Sequence, residues 1–361
     1  MMRCAKASRL PCSSPKRARQ SKRMTAPTAS ATGIVKRFGA TTALEHVDIS
    51  IRPSVMTGLV GPDGAGKTTL MRILAGLIAP DEGTTEVLGA SALTTDRTQI
   101  GYMPQRFGLY EDLTVIQNLN LYAELRELPH EERADAYERL LNFTDLKRFQ
   151  SRLAGRLSGG MKQKLGLACA LVRQPRLLLL DEPGVGVDPV SRKELWEMVK
   201  QLTGEGVGVL WSTAYLDEAE QCDEVFLLNA GKMLHAGPPT DLISRVHNRI
   251  VRLDVAPEGR RKLLSTMIER DDVMDGMVKG NAVRLLLRNL AEDLVPAHYA
   301  PEVTGVTRGQ TRFEDAFIDV LGGANTGPSA LAKVYRTIPA SDAPAIEAKG
   351  LTKIYGDFTA A

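Results

Sequence analysis

The segment Gly61-Pro-Asp-Gly-Ala-Gly-Lys67-Thr68 constrains the fold of this chain more than any other. It fits the pattern Gly-x4-Gly-Lys-Ser/Thr, which is typical of phosphate-binding loops. An apolar run at residues 56–61 precedes it, and helical spacing at 67–77 follows it. Glycines let such a loop curl so that its N–H groups converge on an anion, and the helix adds its positive N-terminal end. The segment predicts a strand, a phosphate-binding turn and a helix.

Further apolar runs predict a largely parallel sheet with helices on both faces between residues 33 and 244. The runs at 176–180 and 207–212 are two more candidate strands. Apolar residues at helical spacing over 112–128 and 131–141 predict a helical insert, about residues 107–170, between two strands. Strands that alternate with helices in this way indicate an α/β domain of the P-loop type.

A second unit is expected at residues 245–323, as a small α/β accessory domain. Residues 249–255 and 281–287 alternate like strands, and 258–270 has helical character. An amphipathic helix at 311–321 closes the unit, with Phe313, Ala316, Phe317 and Val320 on one face. The unit contains no catalytic constellation.

The charge of the chain is uneven. The 46 basic and 43 acidic residues give +3 over 361 residues, but eight basic residues precede position 24, and the first acidic residue is Glu45. The rest of the chain has 38 basic and 43 acidic residues, so its charge does not indicate a nucleic-acid binder. Residues 1–32 are expected to be a disordered extension, with 1–23 as sequence upstream of a start at Met24. A tail for nucleic acid or acidic membranes is the alternative.

No run approaches the ~20 apolar residues of a membrane span, and the basic N-terminus lacks the apolar core of a signal peptide. The four cysteines (Cys4, Cys12, Cys169 and Cys222) are scattered without metal-ligand spacing. These features favour a reducing, cytoplasmic location. A membrane function would need a second chain to supply the span.

A short internal repeat lies near the C-terminus. After a predicted linker at 324–345, Gly350-Leu-Thr-Lys-Ile-Tyr-Gly356 resembles Gly33-Ile-Val-Lys-Arg-Phe-Gly39 at an offset of 317 residues. We expect residues 346–361 to begin a second, incomplete copy of the first domain.

Two further motifs carry chemistry. Leu177-Leu-Leu-Leu-Asp181-Glu182 ends a predicted strand 114 residues after Lys67. There Asp181 would hold Mg²⁺ and Glu182 would act as general base. In Leu157-Ser-Gly-Gly-Met-Lys-Gln163, Ser158, Gly159 and Gly160 begin a helix and predict a second anion site.

In the chain, the three motifs begin at Gly61, Leu157 and Leu177. In this order they resemble the ATP-binding cassette (ABC) superfamily, which implies ATP and Mg²⁺ as ligands. The resemblance assigns the phosphates to Gly61, Pro62, Asp63, Gly64, Ala65, Gly66, Lys67, Thr68 and Thr69. It assigns Mg²⁺ to Thr68, Gln105 and Asp181, catalysis to Glu182, Gln105 and Lys67, and adenine stacking to Phe38. It assigns ATP held by another cassette to Ser158, Gly159 and Gly160, and it assigns Asp188, also part of the ATP site, to communication across the dimer. Three of these residues also have a structural alternative to the functional role. Phe38 could be a core residue, Gln105 a surface residue and Asp188 a helix cap.

One position departs from the family. In Trp211-Ser-Thr-Ala214-Tyr, Ala214 stands where the family has a histidine that contacts the γ-phosphate. A methyl group cannot donate that hydrogen bond. We expect ATP binding with slow hydrolysis unless another group substitutes.

The segments Gln105–Val115, Glu182–Pro189 and Arg312–Gly323 resemble the tandem-cassette ATPase subunits of ABC-2 type efflux transporters. That implies integral-membrane ABC-2 type permease subunits and a second ABC domain as partners, no nucleic acid, drug-like or hydrophobic cargo, and a place on the cytoplasmic face of the inner membrane. A hydrolysis-impaired regulatory module is the alternative. A ribosome-associated cassette is disfavoured because the sequence shows no long, highly charged helical connector. A DNA-repair cassette is disfavoured because the residues between the two ATP motifs show no sustained heptads of a coiled coil.

Overall fold

A six-stranded sheet forms the centre of this computed structural model, which describes residues 26–106, 108–290, 294–323, 344 and 346–359. The strands up to residue 237 are β1 (Ala29–Phe38), β2 (Thr41–Ile51), β3 (Met56–Val60), β4 (Glu82–Val87), β5 (Ile100–Met103), β6 (Leu177–Leu180), β7 (Gly208–Thr213), β8 (Glu224–Asn229) and β9 (Lys232–Gly237). The central sheet has the order β5-β6-β7-β3-β8-β9. Its first five strands are parallel, and β9 is antiparallel to β8.

Helices cover both faces of this sheet. They are α1 (Lys67–Leu74), α2 (Val115–Leu125), α3 (His130–Phe143), α4 (Gly159–Ala170), α5 (Pro189–Gly204), α6 (Leu216–Ala219) and α7 (Pro239–Arg245). Alternate residues of β6 enter opposite cores: Leu178 and Leu180 pack with α2–α5, and Leu177 and Leu179 pack on the α1 side. All four are fully buried. This alternation explains why β6 is apolar throughout, since a parallel strand between two helical layers has no solvent face. The α/β P-loop prediction is confirmed, and α2–α4 lie in the predicted insert.

A second sheet, β2-β1-β4, is antiparallel and was not predicted. Its strands expose many polar side chains, so their apolar signal is weak. Strand β1 begins at Ala29, where Ala29 pairs with Ile51 of β2 and Val87 of β4. Our boundary of the disordered extension at residue 32 is therefore wrong: residues 29–32 are held in the sheet by backbone hydrogen bonds. Residues 1–25 lie outside the described part of the chain.

The accessory unit is an antiparallel sheet with two helices. Its elements are β10 (Ile250–Asp254), α8 (Arg260–Ile268), β11 (Val273–Lys279), β12 (Ala282–Leu287), β13 (Gly305–Arg308) and α9 (Phe313–Val320). The strand order is β11-β12-β10-β13. Helix α8 packs with one face of this sheet in a separate small core.

Helix α9 joins the accessory unit to the first domain. Phe313 and Ala316 are fully buried in the same core as Trp211 of β7, and Phe317 and Val320 pack against that core. Helix α9 contacts α7 and α6. At its N-terminal end the guanidinium of Arg284 binds both oxygens of Asp315, at 2.7 and 2.6 Å. The predicted apolar face of this helix is thus the face that lies against the first domain.

The C-terminal repeat folds as a hairpin of β14 (Ile354–Tyr355) and β15 (Phe358–Thr359). Tyr355 pairs with Phe358, as Phe38 pairs with Thr41 at the tip of β1 and β2. At the offset of 317, the position of Tyr355 corresponds to Phe38 and that of Phe358 to Thr41. Gly33 and Gly39 have φ of +62° and +59°, and their counterparts Gly350 and Gly356 have +59° and +58°. The repeat in sequence is therefore also a repeat of backbone conformation.

Over the described residues, no helix is both long and apolar enough to cross a bilayer. Cys169 and Cys222 are buried free thiols, and Cys4 and Cys12 lie outside the described residues. The predicted linker, 324–345, also lies outside them, apart from residue 344.

Candidate functional site

The predicted site residues converge because four neighbouring parallel strands end at one edge of the central sheet. Strand β3 runs into the loop that starts at Gly61, and β6 runs into Asp181 and Glu182. Strand β7 lies between them and is followed by Ala214. Strand β5, next to β6, is followed two residues later by Gln105. The topology thus collects residues that lie up to 153 positions apart in sequence.

The loop Gly61–Lys67 has the backbone that the glycine pattern predicts. Gly64 and Gly66 have φ of +76° and +108°, in the region that favours glycine. A side chain at Gly61 would overlap the Leu228 carbonyl oxygen, and one at Gly66 would collide with that of Ala43. Pro62, Asp63 and Gly64 are exposed at the apex, Ala65 is buried, and Thr68 and Thr69 are half-buried in the first turn of α1.

Lys67 and Glu182 form a buried ion pair, and the exposed Gln105 lies beside it. The Lys67 ammonium lies 3.0 Å from Glu182 Oε1, and it donates to the carbonyl oxygens of Gly61 at 2.7 Å and Pro62 at 3.1 Å. The Gln105 side chain donates to Glu182 Oε2 at 2.8 Å. Lys67 is 4% exposed and Glu182 is 7% exposed. Gln105 is exposed, as its structural alternative has it, and its hydrogen bond to Glu182 brings all three predicted catalytic residues together.

Ser212 supports the two acidic residues and was not predicted. Its hydroxyl donates to Asp181 Oδ1 at 2.9 Å and accepts from the Glu182 backbone N–H at 2.8 Å. Glu182 has φ of +50°, a conformation that costs energy for a residue with a side chain. The hydroxyl on the adjacent strand therefore helps to fix the turn that holds the carboxylate near Lys67. The sequence feature that could have revealed this role is the serine at position 212, next to the last residue of β7.

Asp181 is suited to hold a hard cation. Burial raises the pKa of its carboxyl, while the nearby Thr68 hydroxyl and the Ser212 hydroxyl oppose the shift. Its Oδ2 atom is buried and has no hydrogen-bond partner among the described residues. Mg²⁺ prefers oxygen ligands, and Asp181 and Thr68 supply two of them near the phosphate loop. These residues fit the predicted metal.

Phe38 lies on the surface, so the core alternative is excluded. Its side chain is 52% exposed, and the Lys36 ammonium lies 5.5 Å from the ring centroid. It ends β1 at the hairpin that leads into Ala43, whose carbonyl abuts Gly66. An exposed aromatic ring thus stands on the hairpin that packs against the phosphate loop.

The second anion motif packs against the turn at Asp188. Ser158 caps α4 and accepts from the Met161 N–H at 3.3 Å. A side chain at Gly160 would collide with Ser191, and one at Gly159 would touch the Gly186 carbonyl at 3.0 Å. Asp188 caps α5 by accepting from the N–H groups of Val190 and Ser191 at 3.1 and 2.9 Å. Asp188 thus has the capping contacts of its structural alternative, and its role across a dimer stays a prediction.

A buried acidic group braces the segment that contains Ala214. Glu218 accepts from the Trp211 indole N–H at 2.9 Å and from the Thr213 hydroxyl at 2.6 Å. Arg192 of α5 lies 3.6 Å from its other oxygen, and Gly184 leaves room for that oxygen. Burial raises the pKa of Glu218, against the hydrogen bonds from Thr213 and Trp211. Sequence reasoning missed this group, whose only signal was the acidic residue four positions after Ala214.

The comparisons with known proteins agree with this geometry. The family model "ABC transporter" matches residues 44–185. The chain is 37% identical to the daunorubicin resistance ATP-binding protein DrrA3 of Streptomyces coeruleorubidus, over 58% of this chain and 68% of that protein. The chain belongs to the ABC transporter family. It contains that family's ATP-binding cassette, as the motifs predicted.

A more similar relative is longer than this chain. The chain is 52% identical over 336 residues to the probable multidrug ABC transporter ATP-binding protein YbhF of Escherichia coli (strain K12). The match covers 91% of this chain and 58% of YbhF. Among solved structures, a bacterial ABC cassette dimer in a post-hydrolysis state with bound ADP and Pi aligns with a TM-score of 0.54. It is 25% identical over 58% of this chain and 98% of that chain.

Proposed function

We propose that this chain is an ATP-hydrolysing subunit that drives efflux through separate membrane subunits. The observation that carries the proposal is the buried pair of Lys67 and Glu182 beside the phosphate loop, to which Gln105 is hydrogen-bonded. A buried base within reach of a phosphate-binding cation is what hydrolysis of a nucleotide requires.

Each residue of the group has a distinct task. The loop N–H groups and Lys67 bind the β- and γ-phosphates, which stabilises negative charge in a region of low polarity. Asp181, Thr68 and Gln105 would hold Mg²⁺, which supplies charge neutralisation at the phosphates when bound. Glu182 takes a proton from the attacking water. The exposed ring of Phe38 stacks on adenine.

A second cassette completes the site. The Ser158 segment offers N–H groups at the start of α4 but packs beside Asp188 in its own chain. It therefore serves ATP that is held by another cassette, either in a second copy of this chain or in a separate protein. The solved relative described as a dimer supports this arrangement.

Membrane subunits dock, in this proposal, on a groove of about 560 Å³ between residues 93–98, which precede β5, and the C-terminal end of α2. Leu93 and Leu125 line this groove and are 45% and 68% exposed, next to Tyr122 and the charged Arg126. Helix α2 follows the segment that starts at Gln105, and its C-terminal end lines the groove. A change at the γ-phosphate would therefore reach the groove through Gln105 and α2. We infer ABC-2 type permeases and drug-like cargo from the multidrug and daunorubicin resistance relatives.

A hydrolysis-impaired regulatory module is the second candidate, and Ala214 favours it. In that case ATP binding alone, without turnover, would change the transporter.

ATP turnover of the full chain and of its Glu182→Gln variant decides between the two. We expect Glu182→Gln to keep ATP affinity and to lose at least about 100-fold in turnover, because general-base catalysis contributes ~100–10,000-fold. Glu194→Gln on exposed α5 is the control for loss of one carboxylate, and Lys67→Ala should weaken ATP binding. Equal turnover of wild type and Glu182→Gln would contradict the hydrolytic proposal.

A further inference from the structure

A cavity of about 510 Å³ in the accessory unit is lined by cationic side chains. Four of its lining residues are cationic (Arg252, Lys279, Arg284 and Arg312), and Asn281 and Gln310 add two side-chain amides. We call these six residues the basic pocket. All its lining residues lie in the described part of the chain, and none is acidic or aromatic.

The sheet itself sets two of these charges against each other. Arg252 of β10 pairs directly with Arg284 of β12, so the two side chains lie on the same face of adjacent strands. Like charges in directly opposed positions of a sheet are destabilising. Acidic residues of the chain offset part of this repulsion, and an anion between the two guanidinium groups would offset more of it.

The counter-charges in the chain balance only part of the pocket. Asp315 neutralises Arg284 through two short hydrogen bonds, and Asp254 lies 3.4 Å from Arg252 Nε. Over the described residues, Lys279 and Arg312 form no ion pair. About two positive charges therefore remain for a ligand.

We propose that the basic pocket binds a ligand that carries a phosphate group. A phosphate monoester carries about two negative charges at pH 7, which matches the two uncompensated cations, whereas a carboxylate carries one. Guanidinium groups match the geometry of phosphate oxygens, and the two amides add neutral donors. Because the pocket lacks an aromatic ring for base stacking, the phosphate rather than a nucleobase is the group recognised.

The pocket is held in place by the fold. Arg284 is 11% exposed, and it is oriented both by Asp315 and by the Gln310 carbonyl oxygen, to which it donates at 2.9 Å. Lys279 and Asn281 flank the tight turn at Gly280, where φ is +56°. A preformed site of this kind loses little entropy when it binds a ligand.

Two probes distinguish the sources of such a phosphate. Glycerol 3-phosphate, measured by calorimetry, represents a soluble ligand. Vesicles of phosphatidylcholine with 20% phosphatidic acid, measured by flotation against pure phosphatidylcholine, represent a lipid headgroup. The pocket variant is Arg252→Gln/Arg312→Gln, which leaves Arg284 and the phosphate loop intact. The matched control is Arg261→Gln/Lys262→Gln on exposed positions of α8.

We expect at least one probe to bind wild type and control alike, and to bind the pocket variant at least 10-fold more weakly. Equal binding by wild type and pocket variant, or no binding of either probe, would overturn the proposal. Thermal unfolding of each protein checks folding. If the double variant does not fold, Lys279→Gln at the exposed turn replaces it with the same expectation. ATP turnover plays no part in this test, so its failure is distinguishable from failure of the proposed function.

Discussion

Ala214 stands at the position where the resemblance to the family predicts a histidine. Its position after β7, between the ends of β6 and β3, is exposed, and Thr213 before it is fixed by Glu218. A histidine placed there would gain a hydrogen-bond donor on a segment that is already held in position. If hydrolysis is slow, as we predict, the missing donor rather than the position of this segment explains it.

Replacement of this alanine tests that explanation. We expect Ala214→His to raise ATP turnover by at least about tenfold, since a single positioned donor to transition-state charge is worth up to ~100–1,000-fold. Ala214→Leu adds bulk without a donor and should leave turnover unchanged. The measurement is steady-state ATP hydrolysis at saturating ATP. Brisk and equal rates for wild type and Ala214→His would contradict the expectation.

Residue-level prediction from sequence located the candidate site residues that belong to short motifs. The loop at Gly61 and the acidic pair at the end of β6 are contiguous, so their spacing reveals them. The supporting groups were missed because their function depends on contacts that form only in the folded chain. Ser212 meets Asp181 once β7 lies beside β6, and Glu218 meets Trp211 and Thr213 once the chain turns back after β7.

At the scale of elements, the helices and buried strands were predictable and the β2-β1-β4 sheet was not. Fully buried strands such as β6 have a strong apolar signal. Strand β2 faces solvent on one side, so polar residues dominate it. The start of β1 within a Ser/Thr/Ala-rich segment was missed for the same reason, because its stabilisation comes from pairing with two other strands.

Helix α9 is short, and Phe313 is its largest fully buried side chain. Phe313 is 1% exposed and lies in the core of the first domain. We expect Phe313→Ala to lower the free energy of unfolding by about 3–5 kcal/mol through the cavity it leaves. Leu290→Ala, at a position that is 61% exposed, should change it by less than about 0.5 kcal/mol. Urea unfolding measures both, and similar small losses would mean that α9 is not anchored by Phe313.

At the scale of the whole molecule, the question is whether two copies of this chain form the ATP sandwich. In a self-paired dimer, each site takes Lys67 from one copy and Ser158 from the other. We expect Lys67→Ala and Ser158→Arg each to be inactive alone. A mixture of the two should recover part of the wild-type turnover, because one site of each mixed dimer retains both native residues. No recovery would contradict self-pairing and favour a separate second cassette.

The shared core around α9 also affects how the molecule unfolds. The accessory unit has a sheet of its own, but Phe313 of this unit and Trp211 of the first domain are buried in the same hydrophobic core. Loss of either half therefore exposes apolar surface on the other, and the two halves should melt in a single cooperative transition. In thermodynamic terms the boundary near residue 245 separates two topologies within one folding unit.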